Sequence, residues 1–259
     1  MREIHDFNRG AYAPHYDTLM GLCPSCFYAS TWNANGLLGK VDDLREFDTR
    51  IKPDILLMQE TRLRAADRIT VSNYTLYSPP SRTHRRSRGT AILMKSTINH
   101  QYLPNPTLRY IEATMVIVNL PNIPPINFVS AYRPPDKANV IFTLDFESIY
   151  AYNTATFIVG DLNAKHRNWN CSRNGKFGRQ LANFAGKTNA KIVELDTPTH
   201  FHYRGSSVID LGLARNIPYG INSYSLTDLP SDHLLVKFLI DTGTPAEIPR
   251  KFIFQLEKI

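Results

Sequence analysis

Apolar residues along the chain fall into short runs that stop abruptly at polar ones. Residues 26–32 are apolar and aromatic, which predicts a strand, and Asn33-Ala34-Asn35-Gly36 turns the chain out of it. Leu37, Val41, Leu44, Phe47 and Ile51 recur at helical spacing, so 37–51 is expected to be an amphipathic helix ended by Pro53. Residues 55–59 read as a short buried strand. Strand-like runs follow at 74–77, 90–94, 113–118 and 126–131, where Pro134 and Pro135 stop the last one soon after its end. A helix is expected around 137–149, then the run Phe157-Ile158-Val159-Gly160-Asp161-Leu162-Asn163, which reads as a buried strand delivering a carboxylate and a carboxamide at its end. If the backbone stays extended, Asp161 and Asn163 share one face. A helix over 178–189 and strands over 192–195, 207–213 and 234–240 complete the pattern. Many strands with few helices predict an α/β fold: a four-layered α/β sandwich, two packed mixed β-sheets flanked by helices.

No composition break interrupts residues 26–241, which are expected to form one domain. Residues 1–25 show no period and read as an irregular N-terminal leader. Residues 242–259, with Pro245 and Pro249, read as a C-terminal linker or tail. At 259 residues and 42% hydrophobic content the chain can bury a large core, and at 20% charged residues it is no disordered polyelectrolyte. The net charge of +7 favours polyanionic partners, nucleic acid first, although solubility alone would also account for it.

Cys23, Cys26 and Cys171 are too few for a disulfide scaffold, and the lone Cys23-Pro24-Ser25-Cys26 has no second ligand pair, so all three read as incidental thiols. No apolar run has a membrane helix's length, and Met1-Arg2-Glu3-Ile4-His5-Asp6 lacks a signal-peptide core. The expected setting is intracellular, with no membrane partner.

One event recurs along the chain: an apolar strand ends in polar residues. Asn33 and Asn35, Glu60, Tyr132, and Asp161 with Asn163 all stand at such ends. Asp210 interrupts the apolar run 208–213, where a charge costs several kcal/mol unless paired. Ser231-Asp232-His233 precedes the last strand. Singly, each has an ordinary reading: Asn35-Gly36 as a turn, Tyr132 as a core-edge tyrosine, Glu60 as a surface acid. Adjacent strand residues face opposite ways, so Asp232 and His233 can converge only in irregular backbone. Together, the set suits metal-assisted phosphodiester hydrolysis. Glu60 and Asp232, with Asn33 or Asn35, offer hard oxygen ligands for Mg²⁺ or Mn²⁺. A carboxylate beside His233 can hold its tautomer and raise its pKa, and Asp161 can take a proton from water.

These motifs resemble those of the endonuclease/exonuclease/phosphatase superfamily: Trp32-Asn33-Ala34-Asn35-Gly36, Gln59-Glu60-Thr61, Ala131-Tyr132, Gly160-Asp161-Leu162-Asn163, Ile209-Asp210 and Ser231-Asp232-His233, in that order. Asp161-Leu162-Asn163-Ala164-Lys165-His166-Arg167-Asn168-Trp169 is similar to a segment of the endonuclease domains of non-LTR, jockey-like retrotransposons, as is Pro198-Thr199-His200-Phe201. The resemblance implies an endonuclease that nicks double-stranded target DNA, working in the nucleus on chromosomal DNA, with a reverse transcriptase downstream. It implies that Glu60 binds the metal, Mg²⁺ with Mn²⁺ as a substitute, with Asn33, Asn35 and Asp232 close by. Asp161 would direct the attacking water, and Asn163 and Tyr132 would position the scissile phosphate. His233, held by Asp210, would stabilise its charge, and Thr199 would lie near the site. Arg62, Arg133 and the loop bearing Arg82, Arg85, Arg86 and Arg88 are candidate phosphate contacts on charge alone, and His166 a candidate DNA contact. The alternatives are a superfamily phosphatase or phospholipase, and an inactive DNA-binding relic of a mobile element.

Overall fold

The computed structural model describes residues 26–79, 88–135, 140–152, 155–203 and 205–245. The expected leader at 1–25 and the loop residues Arg82, Arg85 and Arg86 lie outside them.

β1 (Cys26–Asn33) leads through a 3-10 turn (Leu38–Lys40) into α1 (Val41–Ile51), and the chain returns as β2 (Ile55–Gln59), parallel to β1. The helix expected from residue 37 begins only at Val41, because Lys40 has non-helical torsions. Asp42 and Asp43 sit in its first turn, where the helix dipole favours them. Its end is set by Lys52 in the left-handed conformation (φ 48°) and then by Pro53. β3 (Tyr74–Tyr77) and β4 (Thr90–Lys95) complete that side of the sheet. β13 (Tyr219–Leu226) and β14 (Leu235–Pro245) add to its other side, giving the order β13-β14-β1-β2-β4-β3.

The second sheet has the order β5-β6-β7-β8-β12-β9. Its strands are β5 (His100–Leu103), β6 (Glu112–Val118), β7 (Ile126–Tyr132), β8 (Thr156–Asp161), β9 (Lys191–Val193) and β12 (Asp210–Arg215). α2 (Thr143–Tyr150) links the parallel neighbours β7 and β8, and α3 (Lys176–Thr188) precedes β9. A separate hairpin pairs β10 (His200–His202) with β11 (Gly205–Ser207).

The sheets pack face to face, β1, β2 and β4 against β6, β7 and β8. Phe27 lies 5.1 Å from Phe128, and Phe157 lies 6.1 Å from Phe128 and 5.2 Å from Phe238, so rings from both sheets interlock. Gly212 makes room for this: a Cβ there would meet the Phe157 ring at 2.8 Å. The period-two alternation of β2 is visible in the packing. Ile55 and Leu57 face the inter-sheet core, while Leu56 and Met58 meet Leu44 and Phe47 of α1. Phe146 of α2 and Phe184 of α3 pack 5.8 Å apart within the larger core. Two mixed sheets flanked by helices are what the pattern predicts.

The departures are at edges. β5, β10 and β13 are not foreseen: β13 is an outermost, half-exposed strand in which Tyr219, Ile221 and Leu226 reach the cores but glycine, asparagine and serine dilute the apolar alternation. The single run expected at 207–213 divides, with Ser207 closing the hairpin and Asp210 opening β12. β14 runs on to Pro245, past residue 241. Cys26 is disulfide-bonded, which corrects its reading as an incidental thiol; Cys171 is free and buried.

Candidate active site

β8 ends where β7 presses closest. Gly160 has φ 145°, and a Cβ there would lie 2.1 Å from the Ala131 carbonyl oxygen and 2.9 Å from the Gln59 side chain. Only glycine fits such an approach. The next residue, Asp161, is 2% exposed and sits opposite Asp210 in the β8–β12 ladder. The extended geometry expected for Asp161 and Asn163 is not observed. The strand stops at Asp161, Asn163 takes φ 47°, and its backbone N–H donates to Asp161 Oδ1 at 3.0 Å. A tight bend, not a shared strand face, brings the Asn163 backbone back onto the Asp161 carboxylate. The Asn163 amide then donates to the Arg133 carbonyl at 3.0 Å.

Around Asp161 the other strand ends converge. Asn33, fully buried at the end of β1, donates from Nδ2 to both Asp161 Oδ2 and Glu60 Oε1 at 3.0 Å. Its Oδ1 accepts from the Asn35 backbone N–H at 3.0 Å. Glu60 follows β2 in the left-handed region (φ 47°), a conformation that re-aims its side chain toward the site. Asn35 Nδ2 donates to Asp232 Oδ1 at 3.2 Å. The Asn35 amide oxygen accepts from Arg62, whose guanidinium also lies 3.6 Å from Glu60 Oε2.

Asp232 and His233 occupy the irregular link before β14, as adjacent residues must if both are to serve one site. Ser231 Oγ donates to the Asn33 carbonyl at 2.7 Å and ties this link to β1. His233, 5% exposed, bonds through Nδ1 to Asp210 Oδ2 at 2.9 Å, and its Nε2 lies 4.0 Å from Asp161 Oδ2. Burial lowers its pKa, but the charge and hydrogen bond of Asp210, then Asp161 and Asp232, outweigh that and raise it to about 9. Burial, and then the Asp210 charge, push the Asp161 carboxyl up to about 7. The Tyr132 phenol is raised by burial, by the Glu60 and Asp161 charges, and by its hydrogen bond to Glu60.

Several expected contacts belong elsewhere. Arg133 is 3% exposed; it donates to the carbonyls of Leu162, Asn163 and Pro134, and its guanidinium lies 3.9 Å from the Phe177 ring centroid. It holds the turn after β8 from beneath and cannot meet a phosphate from there. Thr199 is fully buried, and its Oγ1 accepts from the Asp210 backbone N–H at 3.3 Å, so it fixes Asp210 and not DNA. His166 accepts from the Asn168 N–H at 3.1 Å and stacks on Trp169, capping the 3-10 turn Arg167–Trp169. That role is local structure. Arg62 and Arg88 remain beside the site. Arg88 lies 3.9 Å from the buried Glu112, directly across the ladder from Tyr132. His200, which no strand-end pattern singles out, lies 3.7 Å from Asp232.

The carboxylates of Glu60 and Asp232, both partly exposed, are joined at the mouth of the site through Arg62 and Asn35 and offer hard oxygen atoms. Such a set fits a hard divalent ion.

Comparison with known proteins agrees with this geometry. Residues 126–237 match the family described as endonuclease-reverse transcriptase. The chain is 31% identical over 220 residues to a probable RNA-directed DNA polymerase from transposon BS of Drosophila melanogaster, covering 82% of this chain and 24% of that protein. It is 26% identical over 225 residues to the RNA-directed DNA polymerase from mobile element jockey of the same fly, with 85% and 24% covered. The chain thus spans about a quarter of the length of these relatives. Among solved structures, the endonuclease domain of TRAS1, a telomere-specific non-LTR retrotransposon, superposes with TM-score 0.71 at 18% identity, over 85% of this chain and all of that one. An AP endonuclease of Leishmania major superposes with TM-score 0.66 at 17% identity, over 84% and 88%. This chain therefore matches the endonuclease-reverse transcriptase family over residues 126–237, is homologous over about 220 residues to part of the jockey-type transposon RNA-directed DNA polymerases, and shares the fold of the TRAS1 endonuclease domain.

Proposed function

We propose that this chain is a metal-dependent DNA endonuclease that hydrolyses phosphodiester bonds, nicking double-stranded target DNA for retrotransposon insertion. The observation that carries the proposal is one buried network: Glu60–Asn33–Asp161 facing the Asp210–His233 pair, with Nε2 of the histidine 4.0 Å from Asp161. It joins a proton acceptor to a charged hydrogen-bond donor, with the partly exposed Glu60 and Asp232 beside them.

A divalent ion held by Glu60 and Asp232, with Asn35 beside them, would neutralise charge on the phosphate; Mg²⁺ is the natural choice and Mn²⁺ a substitute. The protein's own groups do the rest. Asp161 orients water and takes its proton as the water oxygen bonds to phosphorus and the bond to one ribose oxygen breaks, the released ribose oxygen taking a proton from solvent. Asn33 keeps Asp161 aimed. His233 stays protonated at neutral pH and donates from Nε2 to a phosphoryl oxygen, while Asp210 fixes its ring. The Tyr132 phenol, kept neutral, serves as a second donor. Arg62 and Arg88 hold flanking phosphates, where the net charge of +7 also favours DNA.

The relatives' greater length and their description as RNA-directed DNA polymerases support a reverse transcriptase elsewhere in the functional protein; a working place on chromosomal DNA follows from the nicking role. Among the described residues no helix is long and apolar enough to cross a membrane. A supercoiled-plasmid assay tests the activity. Wild type should nick with Mg²⁺ and stop with EDTA. Asp161→Ala and His233→Ala should each lose at least about 10²-fold while still binding DNA. An intact plasmid across Mg²⁺ and Mn²⁺, or nicking unchanged in both variants, would sink the proposal.

A further inference from the structure

A ring nitrogen of His200, a carboxylate oxygen of Asp232 and a ring nitrogen of His233 all lie within 4.8 Å of one another. The arrangement is constrained from several sides. His200 sits on β10, forms an isolated antiparallel bridge with His233, and its ring lies 4.4 Å from that of His233, tilted by 39°. The backbone N–H of Leu234 donates to the Thr199 carbonyl at 2.7 Å and that of Phe201 to the Asp232 carbonyl at 3.0 Å, which locks the two segments together. Asp232 Oδ1 is engaged by Asn35 and Ser231, so Oδ2, 3.7 Å from His200 Nε2, is the oxygen that faces the histidines. Asp210 holds Nδ1 of His233, so Nε2 is the nitrogen left for a ligand. A carboxylate behind a histidine in this way is the usual support of a metal-bound imidazole.

The geometry points to a second cation site at His200, Asp232 and His233, selective for a transition ion of the Zn²⁺ class. Two imidazoles and one carboxylate suit such an ion and disfavour Mg²⁺, whereas Glu60 and its neighbours offer oxygen. Ligands about 2.1 Å from a tetrahedral ion stand about 3.4 Å apart; His200 Nε2 and Asp232 Oδ2, at 3.7 Å, are already near that spacing, and a rotation of the side chains closes the rest. The ion displaces the proton of His233 and occupies the nitrogen that would meet the phosphate. Zn²⁺ therefore switches the nuclease off, and this consequence rests on the endonuclease reading above; the binding itself does not.

Co²⁺ serves as the spectroscopic probe. In Glu60→Gln protein, which lacks the oxygen site, Co²⁺ should bind with visible absorption of a nitrogen-ligated ion, and adding His200→Asn should weaken that binding at least about tenfold. In the wild-type chain, Zn²⁺ should shift the imidazole NMR signals of His200 and His233 together and leave those of His100 and His166 in place; this arm needs no variant to fold. With Mg²⁺ in excess, Zn²⁺ should inhibit wild-type nicking, and about tenfold more should be needed in His200→Asn, each protein referred to its own Mg²⁺ rate. Equal Co²⁺ binding with and without His200, or Zn²⁺ shifts that spare His200 and His233, would overturn the site. Binding as described without inhibition would overturn the switch and leave the site.

Discussion

At the scale of single residues, the site's electrostatics rest on His233 and its carboxylates. A histidine whose pKa is raised from 6.5 to about 9 stabilises the fold fully below 6.5 and loses that contribution as pH rises through 9. Asp161, raised to about 7, works in the same sense: the folded state holds its proton more tightly, so its contribution fades as pH rises through 7. Metal-free protein should therefore show a urea midpoint to which Asp161 contributes a decline from about pH 4 to pH 7 and His233 a decline from about pH 6.5 to pH 9. Replacing Asp210 with Asn should move the His233 titration, followed by imidazole NMR, down toward its ordinary value and flatten that decline. A His233 midpoint unmoved by the substitution would remove Asp210 from its supporting role. Gly160 is the other decisive residue. Gly160→Ala places a Cβ against the Ala131 carbonyl at a φ of 145°, and should cost at least about 1–3 kcal/mol by urea denaturation.

At the scale of elements, rigidity comes from contacts that cross between them. The Phe157 ring meets Phe128 on its own sheet and Phe238 on the facing one, in a space Gly212 clears. Phe157→Ala should therefore cost about 3–5 kcal/mol, measured as a lowered urea midpoint with the m-value retained. Asp145 shows the polar counterpart. Buried on α2, it accepts from the backbone N–H groups of Arg109, Tyr110 and Ile111 and pins the approach to β6. Asp145→Ala leaves those donors without their acceptor and should destabilise by at least about 2 kcal/mol, whereas Asp145→Asn should lose less. Nothing in the neighbouring residues announces Asp145, because its partners lie 34 to 36 positions away.

At the scale of the whole molecule, the two-sheet fold gathers strand ends from both sheets along one rim, and this is why residues from Asn33 to His233 meet. The same assembly sorts the arginines. Arg62 and Arg88 stand beside the site, while Arg133 is spent on carbonyls and a phenylalanine ring. DNA binding measured in EDTA should therefore lose about one unit of salt slope in Arg62→Ala or Arg88→Ala. Arg133→Ala should instead lower thermal stability before it changes that slope.

Much of this was written in the chain itself. The alternation and spacing of apolar residues determine β1, β2, β4, β6, β7, β8, the helices and the α/β class, because a buried face leaves a periodic trace. Polar residues that interrupt apolar runs mark the site for the same reason: their desolvation cost demands partners. What only the tertiary structure decided is who those partners are. Arg133 and Thr199 look like surface contacts in sequence and are buried supports in space. Asp161 and Asn163 meet by a turn where an extended strand was expected. His200 joins Asp232 and His233 only because β10 bridges to the link before β14. Edge strands such as β13 left no trace because one-sided pairing needs no apolar pattern. Local sequence reports burial, a property each residue holds by itself; contact between distant residues arises only when the sheets close on each other.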